Sequence, residues 1–174
     1  QTALEHDLRR NVVQAALDAL QMLSHRAEKL LQLSRAESGA SLARARVDLV
    51  QLVGTVAQEL WQDPHINERL TLKVPDSAAP VALGDVDALA IALRNLVENA
   101  LRYGGERVVV EVTAPCTLVV RDFGAGVGAE QLSTLRQRHV RHASDRAGYG
   151  LGLSIVGTIV EKHDARLELE SPPP

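Results

Sequence analysis

The sequence opens with a long stretch, from about Leu4 to Ser38, that contains neither glycine nor proline. Apolar residues recur in it at alternating spacings of three and four, namely Val13, Ala16, Leu20, Leu23, Ala27 and Leu30, and the stripe is widened by Leu17, Leu31 and Leu33. A helix of roughly 35 residues is about 50 Å long, which is more than a compact domain of this size can cover. We therefore expect one long helix that associates with itself in a bundle, an isolated helix being the alternative.

Length and composition limit the class of protein. At 174 residues and 45% hydrophobic, the chain can bury a substantial core. Aromatic residues make up 2% and the net charge is −3, so nucleic-acid binding through stacked bases is disfavoured. The lone Cys116 excludes an internal disulfide and fits a reducing compartment. No apolar run approaches the ~20 residues of a membrane span, so we expect any such span to lie outside this chain.

The stretch Ser38-Gly39-Ala40-Ser41 predicts a domain boundary, and shorter elements follow it. The predicted helices run from the cap Asp48 to about Trp61, from a cap at Asp85 or Asp87 through the paired asparagines, and from Leu151 to His163. The predicted strands are Arg69 to Val74, Val81 to Leu83, a hairpin of Val108 to Val112 with Thr117 to Arg121, and Arg166 to Glu170. A loop is expected from Gly124 to about Gly150. The order predicts an α+β fold, a two-layer sandwich with helices on one face of a mixed, mostly antiparallel sheet.

Two asparagines, Asn95 and Asn99, lie four residues apart in the helix after Asp85. Four residues make about one turn, so both amides project from the same face. An amide oxygen is a hard neutral ligand that suits Mg²⁺ shared with phosphates. We expect Asn99 to be the ligand, Asn95 to support it, and Arg102 to meet a phosphate. The alternative is a pair of buried asparagines that only tie down a loop.

Two glycine-rich segments follow. Asp122 comes after an apolar strand, where its carboxylate can accept a hydrogen bond from an exocyclic amine such as that of adenine, and Gly124 and Gly126 let the backbone approach a flat ring. Alone, this segment could be a simple turn. Further on, Gly148, Gly150 and Gly152 surround the helix start at Leu151, where free N–H groups can bind phosphate. No Gly-Lys-Ser or Gly-Lys-Thr follows, so this is not a P-loop.

In this order, the three elements resemble the catalytic domain of sensor histidine kinases, within the ATPase superfamily shared with the Hsp90 chaperone, mismatch-repair and type II topoisomerase ATPases. The likeness runs from about Asp48 to Glu170. It implies ATP and Mg²⁺ as cofactors, with the metal on Asn99. The nucleotide-binding residues implied are Asn95, Asn99, Arg102, Tyr103, Asp122, Gly124, Gly126, Arg141, Gly148, Gly150, Leu151 and Gly152. The segment from Gly126 to Gly148 would be a lid over ATP.

One position separates the branches of that superfamily. Members that hydrolyse ATP carry a Glu four residues before the metal-binding Asn, as the base for water, whereas this chain has Asn95 there. The resemblance therefore implies phosphoryl transfer to a protein side chain, with Asn95, Glu98 and Asn99 as the catalytic set. Glu98 could assist proton removal from an incoming histidine, or it could be a surface charge near Arg94 or Arg102.

The stretch from Leu30 to Glu37 is similar to the end of the second helix of the family's dimerisation hairpin. The resemblance implies that residues 1–39 are part of that hairpin and that residues 40–174 are the ATP-binding domain, lacking its last strand. It also implies a homodimer through the long helix, a response-regulator receiver domain as partner, and the cytoplasmic portion of an inner-membrane bacterial receptor.

The family phosphorylates a His followed by an acid, a spaced Arg and then a Pro. His6-Asp7-Leu8-Arg9 imitates that opening, but Asn11 stands where the Pro is expected. We therefore expect the acceptor histidine to lie upstream of Gln1. Two other functions stay open, an ATP-binding sensing or scaffold module without turnover and an ATP-hydrolysing clamp.

Overall fold

A computed structural model describes residues 2–37, 43–76, 79–140 and 151–171 of the chain. The elements are α1 (Thr2–Glu37), β1 (Ala45–Asp48), α2 (Leu49–Leu60), α3 (Pro64–Asn67), β2 (Leu70–Lys73), β3 (Val81–Gly84), α4 (Val86–Tyr103), β4 (Val108–Thr113), β5 (Thr117–Asp122), α5 (Ala129–Val140) and α6 (Leu151–Lys162). The long helix, the asparagine helix, the hairpin and the α+β class are all confirmed. The predicted boundary at Gly39 lies outside the described residues.

The strands form two sheets. β1 pairs antiparallel with β3, while β4 lies between β2, its parallel partner, and β5, its antiparallel partner. The pairing is mixed and mostly antiparallel, as expected, but it is divided between a two-stranded and a three-stranded sheet. Helices α2 and α4 pack on the larger sheet, and α6 packs against α4, α1 and α5.

Helix α2 shows how local sequence places an element. The Asp48 carboxylate accepts hydrogen bonds from the N–H groups of Val50 and Gln51, at 2.8 and 3.0 Å, and so caps the helix as predicted. Its apolar face is buried in the main core, which also receives residues from α4, β2 and β4. The buried residues of α2 are Leu49, Leu52, Val53, Val56 and Ala57.

Helix α4 is buried on two sides. Leu93, Val97 and Ala100 belong to the main core over the sheet. On another side, Ala92 joins a second core made with Ile155, Val156 and Ile159 of α6 and Leu33 of α1. The helix that carries the paired asparagines is therefore held between the sheet and a layer of other helices.

Among the residues of α1 whose burial the structure describes, those that pack on the rest of the chain lie toward its C-terminal end. Leu33 is buried there, whereas the apolar stripe farther back is exposed, including Val12, Val13, Leu17, Leu20, Met22, Leu23, Leu30 and Leu31. The exposed stripe is what the predicted self-association requires. Within the described part of the chain, no helix has the length and apolar character needed to cross a membrane.

Two short elements, β1 and α3, were not predicted, and two predictions about single elements were wrong. The short strand β1 was not expected, because Ala45 to Asp48 is too brief to show alternation and forms through its pairing with the distant β3. Helix α5 lies in the predicted loop, since residues 129–140 contain neither glycine nor proline. Conversely, Arg166 to Glu170 alternates like a strand, but the structure has no strand at these residues.

Asp85 joins the start of α4 to two distant segments. Its carboxylate accepts from the N–H of Ala88 at 3.0 Å and from the N–H of Ala43 at 3.1 Å. Its own N–H donates to Nε2 of His163 at 3.0 Å. The Ala88 hydrogen bond is the main reason that the pKa of Asp85 is lowered; the Ala43 and Asp87 N–H groups and His163 act in the same direction, and burial opposes them.

A pH-dependent loss of stability follows for Asp85→Ala. Because the pKa is lowered on folding, the ionised group contributes stability above its unfolded value of about 3.9, and that contribution is lost as pH falls through the folded value. We expect the variant to lower the free energy of unfolding by about 1 kcal/mol at pH 7, with a smaller deficit at pH 3. Urea unfolding at both pH values measures this, with the exposed first-turn Asp87→Ala as control. An equal deficit at both would contradict the assignment.

Candidate functional site

Asn95 is buried, with 1% of its surface exposed. Its Nδ2 donates to the carbonyl of Ile91 at 2.8 Å and to Oε1 of Gln32 at 3.3 Å, while its Oδ1 accepts from Nζ of Lys29 at 2.7 Å. Two of these partners belong to α1. The amide therefore ties the asparagine helix to the long helix, a role that spacing alone did not indicate.

Lys29 also contacts Glu98. Its Nζ lies 2.6 Å from Oε2 of Glu98, whose side chain is 34% exposed. Of the two arginines considered as partners for Glu98, Arg94 pairs instead with Glu59. The lysine thus neutralises the one acid of the asparagine motif and bonds to the neighbouring amide as well.

Asn99 lies at the start of α6. A Cβ built on Gly152 would lie 3.2 Å from Nδ2 of Asn99 and 3.3 Å from Oδ1 of Asn95. Because Gly152 has no side chain, both amides can lie against the start of α6. The first N–H groups of a helix have no partners within that helix and attract anions. The Asn99 amide and the first turn of α6 therefore lie at one edge, and amide oxygens and helix-start N–H groups are the kinds of group that bind a hard cation and a phosphate. No cluster of three or more His, Cys, Asp or Glu side chains suited to a metal occurs among the described residues.

The Asp122 loop packs on the C-terminal end of α4, beyond Asn99. A Cβ at Gly104 would overlap Cβ of Asp122 and the carbonyl of Ala100, and one at Gly105 would lie 2.8 Å from the carbonyl of Phe123. Asp122 is exposed, and its carboxylate accepts from the N–H of Gly124 at 3.0 Å. The two glycines after α4 therefore allow the loop to lie directly on the helix end.

The remaining predicted site residues differ in their placement. Arg102 and Tyr103 are exposed at the end of α4, with the guanidinium 5.8 Å from the ring centroid. Gly126 has a φ of 75°, a conformation that favours glycine. Leu151 is half-buried at the first turn of α6. Arg141, Gly148 and Gly150 lie outside the described residues.

Sequence reasoning missed Lys29, Gln32 and the Gly104–Gly105 pair. The glycine pair directly follows Tyr103, and two successive glycines at a helix end were a signal that could have been used. Lys29 carried no signal, because its position in the long helix is that of an ordinary surface charge. Only contact with residues 66 and 69 positions away makes it part of the site.

The site therefore runs along the last turns of α4. At one end, Asn99 and the start of α6 can bind a phosphate with a hard cation. At the other end, Asp122 can accept a hydrogen bond from a flat amine-bearing ring. Asn99 and Gly104 are separated by about 7.5 Å along the helix axis, so that one ligand can touch both ends.

Comparison with known proteins agrees with this geometry. The model of the histidine kinase-, DNA gyrase B-, and HSP90-like ATPase family matches residues 84–174. The sensor protein BasS of Salmonella typhimurium is 34% identical over 151 residues, which are 82% of this chain and 42% of BasS. The chain therefore spans less than half the length of that relative.

Two solved structures are similar in fold. The histidine kinase domain of the E. coli osmosensor EnvZ aligns with a TM-score of 0.59 and 28% identity, over 78% of this chain and 84% of that one. Full-length ShkA in complex with AMPPNP aligns with a TM-score of 0.65 and 25% identity, over 87% of this chain and 33% of that one. The chain belongs to the histidine kinase-, DNA gyrase B-, and HSP90-like ATPase family, and its ATP-binding domain is that of a sensor histidine kinase.

Proposed function

We propose that this chain is the catalytic part of a two-component sensor histidine kinase, which transfers the γ-phosphoryl group of ATP to a histidine of the dimerisation hairpin. From there the group would pass to an aspartate of a response regulator. The observation that carries the proposal is the contact of Asn95 and Asn99 with Gly152, because it joins an amide edge to a helix start. The similarity to EnvZ, whose solved domain is a histidine kinase domain, supports the same function.

Asn99 is the proposed Mg²⁺ ligand. Mg²⁺ commonly keeps several waters and shares its shell with phosphates, so a single amide oxygen from the protein suits it. Gly152 and Leu151 would offer N–H groups to the phosphates, together with Gly148 and Gly150 before them. Arg102 and Arg141 would contribute positive charge. When bound, the cation would offset the negative charge that gathers on the transferred group.

Asp122 is the proposed adenine anchor, with Gly124, Gly126 and Tyr103 beside the nucleoside. Its exposed carboxylate is held by the Gly124 N–H, which leaves its other oxygen free to accept from the adenine amine. Packing of this loop on Gly104 sets its distance from Asn99. The similar ShkA was solved in complex with AMPPNP, which supports a nucleotide as the ligand.

The proposed reaction is an in-line displacement at the γ-phosphorus. A nitrogen of the acceptor imidazole forms the new P–N bond, the bond to the bridging oxygen breaks, and ADP leaves with the bonding electrons. The proton of the other ring nitrogen passes to Glu98, which keeps the phosphorylated imidazole neutral, and catalysis rests mainly on positioning. An ATP-hydrolysing clamp is disfavoured because Asn95, a buried amide, stands where water would need a carboxylate.

The proposal extends to the assembly of the whole protein. Residues 1–39 would belong to the dimerisation hairpin, and residues 40–174 would form the ATP-binding domain. The exposed apolar stripe of α1 would supply the homodimer contact, and a response-regulator receiver domain would be the partner. The chain would be the cytoplasmic portion of an inner-membrane bacterial receptor, with the acceptor histidine upstream of Gln1.

A nucleotide titration with and without Mg²⁺ separates the two ends of the site. Asp122→Asn should weaken ATP binding by about 1.5–3 kcal/mol in both conditions, because a charged hydrogen bond is lost. Asn99→Ala should weaken it only when Mg²⁺ is present. Asp63→Asn, at an exposed cap far from the site, serves as control. Unchanged affinity in Asp122→Asn would refute the adenine assignment, and equal losses with and without Mg²⁺ in Asn99→Ala would refute the metal assignment.

Gly104→Ala should weaken ATP binding at least tenfold, which corresponds to about 1.4 kcal/mol, while the fold persists. The added methyl group would overlap Asp122, so the loop must move away from the helix end. Gly128→Ala is the matched control, since a Cβ there meets nothing within 4 Å. Calorimetric titration and circular dichroism measure affinity and fold. Equal ATP affinity in both variants would show that this packing does not shape the pocket.

A chain extended upstream to include the acceptor should incorporate label from γ-labelled ATP as acid-labile phosphohistidine. Glu98→Gln should slow incorporation by about 10²- to 10⁴-fold, the usual range for a general base. The assay measures both the acid-labile phosphohistidine and the free phosphate that is released. If only free phosphate is released, the kinase function fails and hydrolysis takes its place.

A further inference from the structure

Lys29 is a buried charged residue in a stretch of α1 that is otherwise mostly exposed. It is 8% exposed, although the residues on either side of it along the helix, Glu28 and Leu30, are exposed. Lysine is almost never fully buried unless it is paired. Here its ammonium lies 2.6 Å from Glu98 and 2.7 Å from Asn95, which are both residues of the proposed transfer site.

The groups around this ammonium form one connected set. Gln32, one turn farther along α1, accepts from the Asn95 amide at 3.3 Å. Leu33 is buried beside them against α4 and α6. One end of the long helix thus contacts the asparagine motif through a cation, an amide and an apolar side chain. The cation is the contact that changes the chemistry of Glu98.

We propose that Lys29 is a positioning residue of the transfer site, which locks the end of α1 onto α4 and restrains Glu98 and Asn95 while it is docked. This inference rests on the proposed function, in which Glu98 receives a proton from the acceptor histidine. The short hydrogen bond from the ammonium to Oε2 holds the Glu98 carboxylate against α1, so the side chain is not free to turn toward an incoming histidine. Docking of α1 therefore slows phosphoryl transfer.

The physical character of the contact suits a lock that must open. The Lys29–Glu98 ion pair is partly buried, and such a pair gains little net stability, because the cost of removing the charges from water offsets most of their attraction. When α1 separates, Lys29 and Glu98 both return to water, so neither charge is left buried alone. A purely apolar contact of the same size would favour the docked state of α1, because separation would expose its surface to water.

The first experiment measures docking in this chain without any catalysis. Cys116 is exposed and is the one cysteine of the sequence, so a spin label there can be paired with a second on Ala16→Cys in the exposed part of α1. Labelled chain is diluted with excess unlabelled chain, so that each dimer carries one labelled copy. Electron–electron double resonance then gives the distance distribution between the labels.

Charge reversal supplies the variants. Lys29→Glu places two carboxylates together and should broaden the distance distribution, whereas Arg26→Glu makes the same charge change at an exposed position and should leave it narrow. The double variant Lys29→Glu with Glu98→Lys restores the opposite charges and should restore the narrow distribution. If Lys29→Glu stays as narrow as Arg26→Glu, Lys29 does not hold the helix and the proposal is overturned.

The second experiment measures phosphohistidine formation in the full-length protein. Lys29→Glu should raise the rate about tenfold over Arg26→Glu, a typical size for coupling between sites, with the KM for ATP unchanged. In a Glu98→Gln background the gain should vanish. A rate that falls or stays the same, or a gain that persists without Glu98, would overturn the proposal.

The two experiments separate this inference from the proposed function. If full-length wild type forms no phosphohistidine, the proposed function fails, and the distance measurement still decides whether Lys29 locks α1 to α4. If wild type forms phosphohistidine but Lys29→Glu behaves as Arg26→Glu in both assays, only the inference fails. Circular dichroism of each variant confirms that the helices are retained.

Discussion

The burial of α4 on two sides is the constraint on which the other features depend. Its apolar side, with Leu93 and Val97, packs on the three-stranded sheet and fixes the helix in the main core. Another side faces α6 and the end of α1, where Ala92 and Asn95 are both buried. Because the helix cannot turn without exposing one of these sides, the last residues of α4 have fixed directions. The candidate site is built on that fixed edge.

Burying a polar group beside an apolar core requires partners, and Asn95 has a complete set. Ile91, Gln32 and Lys29 satisfy its amide, and two of the three come from the long helix. An unpaired buried amide would cost a few kcal/mol, so its burial and the docking of α1 are linked. Asn99, one turn farther, is less buried and lies at the start of α6. Two identical side chains thus have different roles because their surroundings differ.

The predictions that succeeded rest on local causes. The elements α1, α2, α4 and α6 follow from helical periodicity, and Asp48 and Asp85 begin two of them by capping their own N–H groups. Strand β1 depends instead on its pairing with the distant β3, which local alternation cannot show. The Gly104–Gly105 pair was visible in the sequence, but the sequence did not show why glycine is needed there. Its reason is the Asp122 loop that packs against it from another part of the chain.

The sequence by itself determined helices α1, α2, α4 and α6, the hairpin and the order of the asparagine and glycine motifs, because these depend on spacing and on interactions within a few residues. From that order came the family resemblance, which comparison with known proteins then confirmed. Only the tertiary structure decided which side chains meet: Asn99 with Gly152, Asp122 with Gly104, and Lys29 with Glu98 and Asn95. Such contacts join residues far apart in the chain, and they are set by how the cores pack rather than by any local pattern.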